Sequence, residues 1–398
     1  MDGADRLATA RHIVWPLALP IAMAAGVLVM VLSLVEVPAT VLLAPQRPPV
    51  LIPLLMAWVH MLRSDDMLEA SLLMMTTAVA LGIVALLLAH VGKRIFQKGA
   101  IWAPLIACVF AVLSGCSRSS EPKEIWLETG ASDGQVVYPR GITYSPDDDT
   151  FFVVDRMARV QHFDHSGKFL NGWRMPEFGL GKPVGLSIGP DHNLYVPDTH
   201  YHRIVVYTPQ GQELRRWGSL GTEPGQFIYP TDVAFDEKGN VFVSEYGDHD
   251  RIQVFDPQGH FLYQFGKFGQ GNGEFSRPQS LLIEHDLIYI TDACNHRICV
   301  FKTDGTWVRN MGRLGSGPGE FRFPYGLDED QEGHLIVCEF GNNRVQRIDK
   351  ITGQGLGTWG SGGREPGQLA YPWGVIVDKR DRVIVVDSGN NRLQVFGF

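Results

Sequence analysis

Cysteine, basic charge and recognisable catalytic motifs are all scarce in this 398-residue sequence, and each shortage removes a class of explanation. Five cysteines are too few for a disulfide framework: Cys108 and Cys116 stand apart from Cys294, Cys299 and Cys338, so one of those three is necessarily left over. Cys299 and Cys338 read as small buried apolar residues, and a Cys294–Cys299 bridge within one hairpin is the pairing an oxidising compartment would allow. Lysine and arginine number 35 against 43 acidic residues, and 28 against 37 beyond residue 100. That balance lacks the electrostatic footprint of a nucleic-acid binder, so no nucleic acid is expected as a partner. No Ser-His-Asp arrangement or pair of carboxylates rises above the background, so the chain reads as a binding protein rather than an enzyme, with no cofactor expected.

What the sequence has in quantity is repetition. A Pro-x-Gly/Asp/Ser element recurs at Pro139, Pro183, Pro230, Pro278, Pro324 and Pro372, in steps of 44, 47, 48, 46 and 48 residues. Each is followed by an apolar strand, an Asp/Gly turn and a second strand closed by an acid: Asp155, Asp198, Glu245, Asp292, Glu339 and Asp387. A loop then ends in Arg159, Arg203, Arg251, Arg297, Arg344 or Arg392, which opens a third strand. A fourth strand follows, and a Gly…Pro-Gly-Gln/Glu-Phe segment leads into the next unit at 221–227, 315–321 and, with Leu369 for Phe, 363–369. A period in the mid-forties with four short strands per unit predicts an all-β, six-bladed β-propeller over residues 124–398. The last copy stops after its third strand, while residues 124–130 look like an orphan fourth strand. The N-terminal strand is therefore expected to complete the last blade and remove two exposed edges. Groups present in every blade are read as scaffold, the acid accepting hydrogen bonds from loop amides or pairing with the arginine.

The runs Asn295-His296-Arg297-Ile298-Cys299-Val300-Phe301, Asn342-Asn343-Arg344-Val345 and Asn390-Asn391-Arg392-Leu393-Gln394-Val395-Phe396 resemble the NHL repeat over about residues 124–398. The resemblance implies a six-bladed propeller, in agreement with the count. Two enzyme families share that scaffold. The peptidyl-amidoglycolate lyases carry zinc-binding histidines just after the Pro of some blades; none of the six residues at that place here is His. Sugar-lactone hydrolases carry calcium ligands in the channel, and the same six residues include no acid. A lyase or lactonase acting at the channel mouth is the enzymatic alternative.

Residues 1–120 are of another kind, an α-helical membrane region by composition. Residues 12–35 and 70–92 carry no charge and are each long enough to span about 30 Å of hydrocarbon. Residues 48–62, interrupted by Pro53, read as a re-entrant or interfacial piece. Ile13-Val14-Trp15-Pro16-Leu17-Ala18-Leu19-Pro20 and Val35-Glu36-Val37-Pro38-Ala39-Thr40 resemble the last two helices of an ABC-transporter permease of the iron and thiamine type, over about residues 3–95. Two helices cannot line a transport path, so the segment is an accessory to permease and ATPase subunits, a degenerate remnant, or the product of a misplaced gene boundary. Residues 93–116 combine Lys93, Arg94 and Lys98 with a short apolar core ending Leu113-Ser114-Gly115-Cys116, which resembles a lipoprotein signal with Cys116 as the lipidated residue. A third membrane helix over 96–116 is the alternative, and 117–123 is a tether. Arg6, Arg11, Lys93, Arg94 and Lys98 put both ends of the paired spans in the cytoplasm. A bacterial cytoplasmic membrane protein with an extracytoplasmic propeller follows.

The residue after each repeated Pro differs from blade to blade: Arg140, Val184, Thr231, Gln279, Tyr325 and Trp373. These positions are expected at the channel mouth, with Arg140 as an anion contact, Tyr325 and Trp373 as stacking surfaces, and Thr231 and Gln279 beside them. A protein, glycan or envelope component is the expected ligand on that face. His200, His202 and His249 share the face and are candidates for metal, yet they fall in successive blades, and His202 occupies the place held by Asn343 and Asn391 elsewhere. No metal site is therefore predicted.

Overall fold

The computed structural model describes residues 121–247 and 249–398. The expected spans at 12–35 and 70–92, the permease-like region 3–95, the signal-like stretch with Cys116 and tether residues 117–120 all lie outside the described residues.

Six four-stranded antiparallel sheets form the blades of a propeller. Blade 3 shows how the sequence builds one. Its strands are Tyr229–Phe235, Val241–Tyr246, Arg251–Phe255 and Phe261–Phe265, from the channel outwards. The middle two strands are covered on both faces by neighbouring blades, so they are continuous β-branched and aromatic runs with hardly an exposed atom. The outer strand alternates, turning Leu262 and Gln264 to solvent. The turn before it is held by Asp256, whose Oδ1 accepts the N–H groups of Gln258 and His260, both at 2.9 Å. Gly259 completes that turn at φ +91°, a conformation a side chain would strain.

Apolar side chains fill each interface between blades as a separate cluster. One joins blades 2 and 3 through Ile204, Val206, Val233, Val243 and Phe255; another joins blades 3 and 4 through Phe242, Ile252, Ile288, Ile290 and Cys299. Each buried side chain of this size contributes about 1.5–3 kcal/mol, so no single interface dominates. Closure comes from Glu124–Trp126, which pairs with Arg392–Phe396 in the register Glu124↔Val395, Ile125↔Gln394, Trp126↔Leu393. Trp126 is buried there against Phe151, ring to ring at 5.5 Å, so the first described strand of the chain completes blade 6 and contacts blade 1.

The structure differs from the sequence expectations in three places. The inner strands of blades 2 and 6 are only Ser187–Ile188 and Val375–Val377, so Pro183 and Pro372 lie outside any strand. In blades 1, 3, 4 and 5 the repeated Pro faces the repeated acid, followed by a register shift within the next three residues. Cys294, Cys299 and Cys338 are all free thiols, so Cys294 and Cys299 are not bridged; Cys299 is wholly buried in the wall between blades 3 and 4.

Candidate functional site

The repeated acid and arginine form a clamp on the face where the connecting loops lie. In blade 3, Arg251 Nε donates to Glu245 Oε1 at 2.6 Å, while its terminal nitrogens donate to the carbonyls of Thr222 (2.8 Å) and Gln226 (3.1 Å) in the loop from blade 2. The other Glu245 oxygen accepts the Ile228 N–H at 2.6 Å. The same arrangement joins Arg159 to Asp155, Arg297 to Asp292, Arg344 to Glu339 and Arg392 to Asp387. Their loop carbonyls belong to residues such as Gln135, Glu274, Glu320 and Gln368. Burial pushes the Glu245, Asp292, Glu339 and Asp387 carboxyls up, and the arginines and loop amides pull them back. Ten repeated side chains in five blades thus hold loops in place.

Blade 2 departs from the pattern. Arg203 pairs with Asp198 and with Glu177, but the Pro-Gly-Gln-Phe loop is missing before this blade, and Asp198 Oδ1 is buried without a hydrogen bond among the described residues. Burial accordingly pushes Asp198 up to about 6, with Arg203 opposing.

Inside the ring, Arg140, Val184, Thr231, Gln279, Tyr325 and Trp373 line a single cavity of about 280 Å³ that follows the axis. They are brought together but are less open than the sequence suggests. Thr231 is buried, its hydroxyl bonded to Ser244 Oγ (2.7 Å) and to the Pro278 carbonyl (2.9 Å), so it stitches blade 3 to blade 4. Tyr325 and Trp373 line the cavity but are only 3% and 8% exposed, so most of each ring is covered by neighbouring side chains. Tyr325 is stacked on Phe340 (4.9 Å) and meets Trp373 edge-on (4.9 Å). The Arg140 guanidinium lies 5.0 Å from the Trp373 ring centre. Burial pushes Tyr325 up to about 12 and Tyr138 upward as well, so both remain neutral hydroxyls at the mouth.

One cation at the mouth has no counterpart in the sequence reading. Arg277, the residue before the repeated Pro of blade 4, extends over Tyr246 (5.0 Å) and Tyr325 (5.6 Å). It adopts φ +63°, as do, within 15°, the residues before Pro139, Pro324 and Pro372. Each of these four N–H groups is capped by a side chain of the preceding blade: Tyr138 by Asn391, Arg277 by Asp250, Phe323 by His296, Tyr371 by Asn343. That places the histidines. His296 Nδ1 accepts the Phe323 N–H at 3.1 Å, His202 Nδ1 meets the Ile228 carbonyl, and His200 lies 5.6 Å from the Tyr229 ring. His200, His202 and His249 converge on nothing: among the described residues no three His, Cys, Asp or Glu side chains are placed to hold a metal ion.

Two acids deeper in the channel were also illegible. Asp232 Oδ2 accepts the Leu281 N–H (2.9 Å) and the Ser280 hydroxyl (3.0 Å), and Asp328 Oδ2 accepts the Val377 N–H (2.7 Å). Each ties its inner strand to that of the next blade. Both are half-buried along the channel with protein packed closely around them, and this burial pushes Asp232 up to about 6 and Asp328 up to about 7.

Comparison with known proteins agrees with this architecture. A family model described as NHL repeat matches residues 369–396, and one described as 6-bladed beta-propeller matches residues 278–358. The propeller of this chain is therefore six-bladed, and its last blade carries an NHL repeat. None of the curated proteins matches the chain. Among solved structures, a streptogramin B lyase is 16% identical with a TM-score of 0.49, covering 69% of this chain and 96% of its own. A virginiamycin B lyase from Staphylococcus aureus with quinupristin is 17% identical at TM-score 0.47, covering 69% and 87%. The hydrazine synthase of Kuenenia stuttgartiensis is 14% identical at 0.47, covering 65% and 83%. Their activities carry nothing to this chain.

Proposed function

We propose that this protein is a binding and scaffold module whose ligand docks on the loop face around the channel mouth. The ligand is a protein, a glycan or another envelope component, met outside the cytoplasm. The observation that carries the reading is broken symmetry. The clamp residues repeat around the ring, whereas Arg140, Val184, Thr231, Gln279, Tyr325 and Trp373 occupy equivalent places and differ from blade to blade. A scaffold needs the first, and recognition needs the second. The test is photo-crosslinking in cells expressing the full chain, with the photoreactive residue at exposed Arg322 on the loop face or exposed Glu237 on the opposite face. Adducts from position 322 alone are expected; adducts from position 237 alone, or equally from both, would overturn the reading.

The same proposal anchors the propeller to the membrane, by lipid on Cys116 or by the upstream apolar stretches. An N-terminal diacylated Cys116 in the membrane fraction would identify a lipoprotein, and an intact chain in that fraction a helical anchor. Recovery of the chain solely in the soluble fraction would refute both.

A further inference from the structure

The two arginines at the mouth are under-bonded cations, although the Asp250 carboxylate that caps the Arg277 N–H also acts on the Arg277 charge. Among the described residues neither Arg140 nor Arg277 forms a salt bridge, and the Nε of each is buried with no hydrogen bond; so is Nε2 of Gln279. Their known neighbours are ring faces: Trp373 and Tyr138 for Arg140, Tyr246 and Tyr325 for Arg277. Ring faces favour a cation but accept none of its N–H bonds in the guanidinium plane, so that rim stays unsatisfied. Arg140 belongs to blade 1 and Arg277 immediately precedes the first strand of blade 4, on opposite sides of a six-membered ring. The two are linked through rings: Arg140 lies 5.0 Å from Trp373, Arg277 5.6 Å from Tyr325, and those two rings meet edge-on at 4.9 Å.

Burying two such cations together is unfavourable. Desolvation first, with Arg156 and Arg277 acting in the same sense, pulls Arg140 below its ordinary value, and Lys182 on the same rim is pulled down by burial and then by Arg140, Arg156 and Arg174. Burial opposes Arg277 too, but Tyr325, Tyr246, Cys294 and Asp250 outweigh it and raise that group. These cations sit in a part of the chain that is acidic overall. An arrangement that gathers repelling, under-bonded donors at the end of a cavity is completed by an anion. We propose that the channel mouth binds a small molecule through one oxyanion group, carboxylate or phosphate, held between Arg140 and Arg277 with the Gln279 amide as a further donor. The aromatic rings fix the guanidinium planes, and the cavity of about 280 Å³ receives the rest of the molecule. This inference rests on the mouth being the binding face and adds the chemistry of what it binds.

Isothermal titration calorimetry of the full chain in mild detergent tests it, with inorganic phosphate, succinate and the neutral analogue succinamide as probes. Phosphate or succinate is expected to bind and succinamide not to; phosphate alone identifies a phosphoryl ligand, succinate alone a carboxylate. Arg140→Gln and Arg277→Gln should each weaken the bound anion at least tenfold, and Arg380→Gln, on the exposed opposite face, should leave it unchanged. Affinity should fall with added salt. A circular-dichroism melt of each variant guards against misfolding, and Gln279→Leu provides a neutral third variant expected to weaken binding several-fold. Absence of heat with both anions, equal binding of succinamide, or unchanged binding in both arginine variants would overturn the proposal. Mouth crosslinks without anion binding would sink the anion and leave the binding face standing; anion binding without mouth crosslinks would do the reverse for the macromolecular ligand.

Discussion

Replacing Arg251 by Met separates the scaffold reading of the clamp from a functional one. The side chain is 3% exposed and Glu245 is fully buried, so the substitution removes the charge that keeps a buried carboxylate acceptable. Breaking a buried pair costs about 3–5 kcal/mol. Glu245 would keep two neutral donors, the Ile228 N–H at 2.6 Å and Gln253 Nε2 at 2.9 Å, which places the expected loss near the lower end, about 3 kcal/mol. The freed loop carbonyl of Gln226 keeps its bond from Gln253, and Thr222 can turn to water. Adding Glu245→Gln removes the stranded charge while leaving an acceptor for Ile228, so the double variant should recover to within about 1.5 kcal/mol of the parent. Urea unfolding of the full chain, followed by tryptophan emission at pH 7.5, reads these differences. Arg216→Met, which breaks an exposed pair with Glu213, is the control and should cost less than about 0.5 kcal/mol. A single variant within 1 kcal/mol of the parent, or a double variant no better than the single, would refute this account of the clamp.

The channel acids give a pH dependence of definite sign. Asp232 and Asp328 are raised to about 6 and about 7 in the folded chain, so it holds protons that the unfolded chain has released above the ordinary carboxylate range. Their contribution is therefore fullest in mild acid and is lost as pH rises through 6 and 7. Asp328→Asn should flatten the decline in urea stability between pH 5 and 8 by about 1–2 kcal/mol, after allowance for channel water; an unchanged slope would contradict the assignment. His296→Asn should be neutral within about 0.5 kcal/mol, because Asn343 and Asn391 cap the equivalent N–H groups of Tyr371 and Tyr138, whereas His296→Ala should cost about 1–2 kcal/mol. Equal losses in the two would mean that the imidazole does something an amide cannot. Trp126→Ala should cost about 3–5 kcal/mol and make the segment around 121–135 the first site of limited proteolysis; first cleavage elsewhere would argue against a seam at blade 6.

The sequence carried the ring and much less of its interior. Blade number, the register of the acid and arginine, and the docking of residues 124–126 were legible because each is a covalent period or a local pattern. The channel wall was not. Reading which side chains face the axis assumes strict alternation, and in blades 1, 3, 4 and 5 the register slips just after the repeated Pro. Asp232 and Asp328 therefore went unnoticed, although Asp232 already stood out where four blades carry Gly. Arg277 was missed for a related reason: it precedes the Pro, and the positive φ that turns it over Tyr325 is fixed by Asp250 of another blade. The burial of Tyr325 and Trp373 came from Phe340, which no repeat marks as special.

The seam at blade 6 also sets a timetable. Glu124 and Val395 are partners 271 positions apart, so during synthesis the first strand waits for nearly the whole propeller before it finds its place. Five blades can stack as they emerge, each leaving an interface face uncovered until the next arrives, but the ring itself is sealed in one late step between the most distant strands. Contacts of such separation slow folding and prolong the exposure of open strand edges. A nascent chain of this design is at its most vulnerable when it is almost finished.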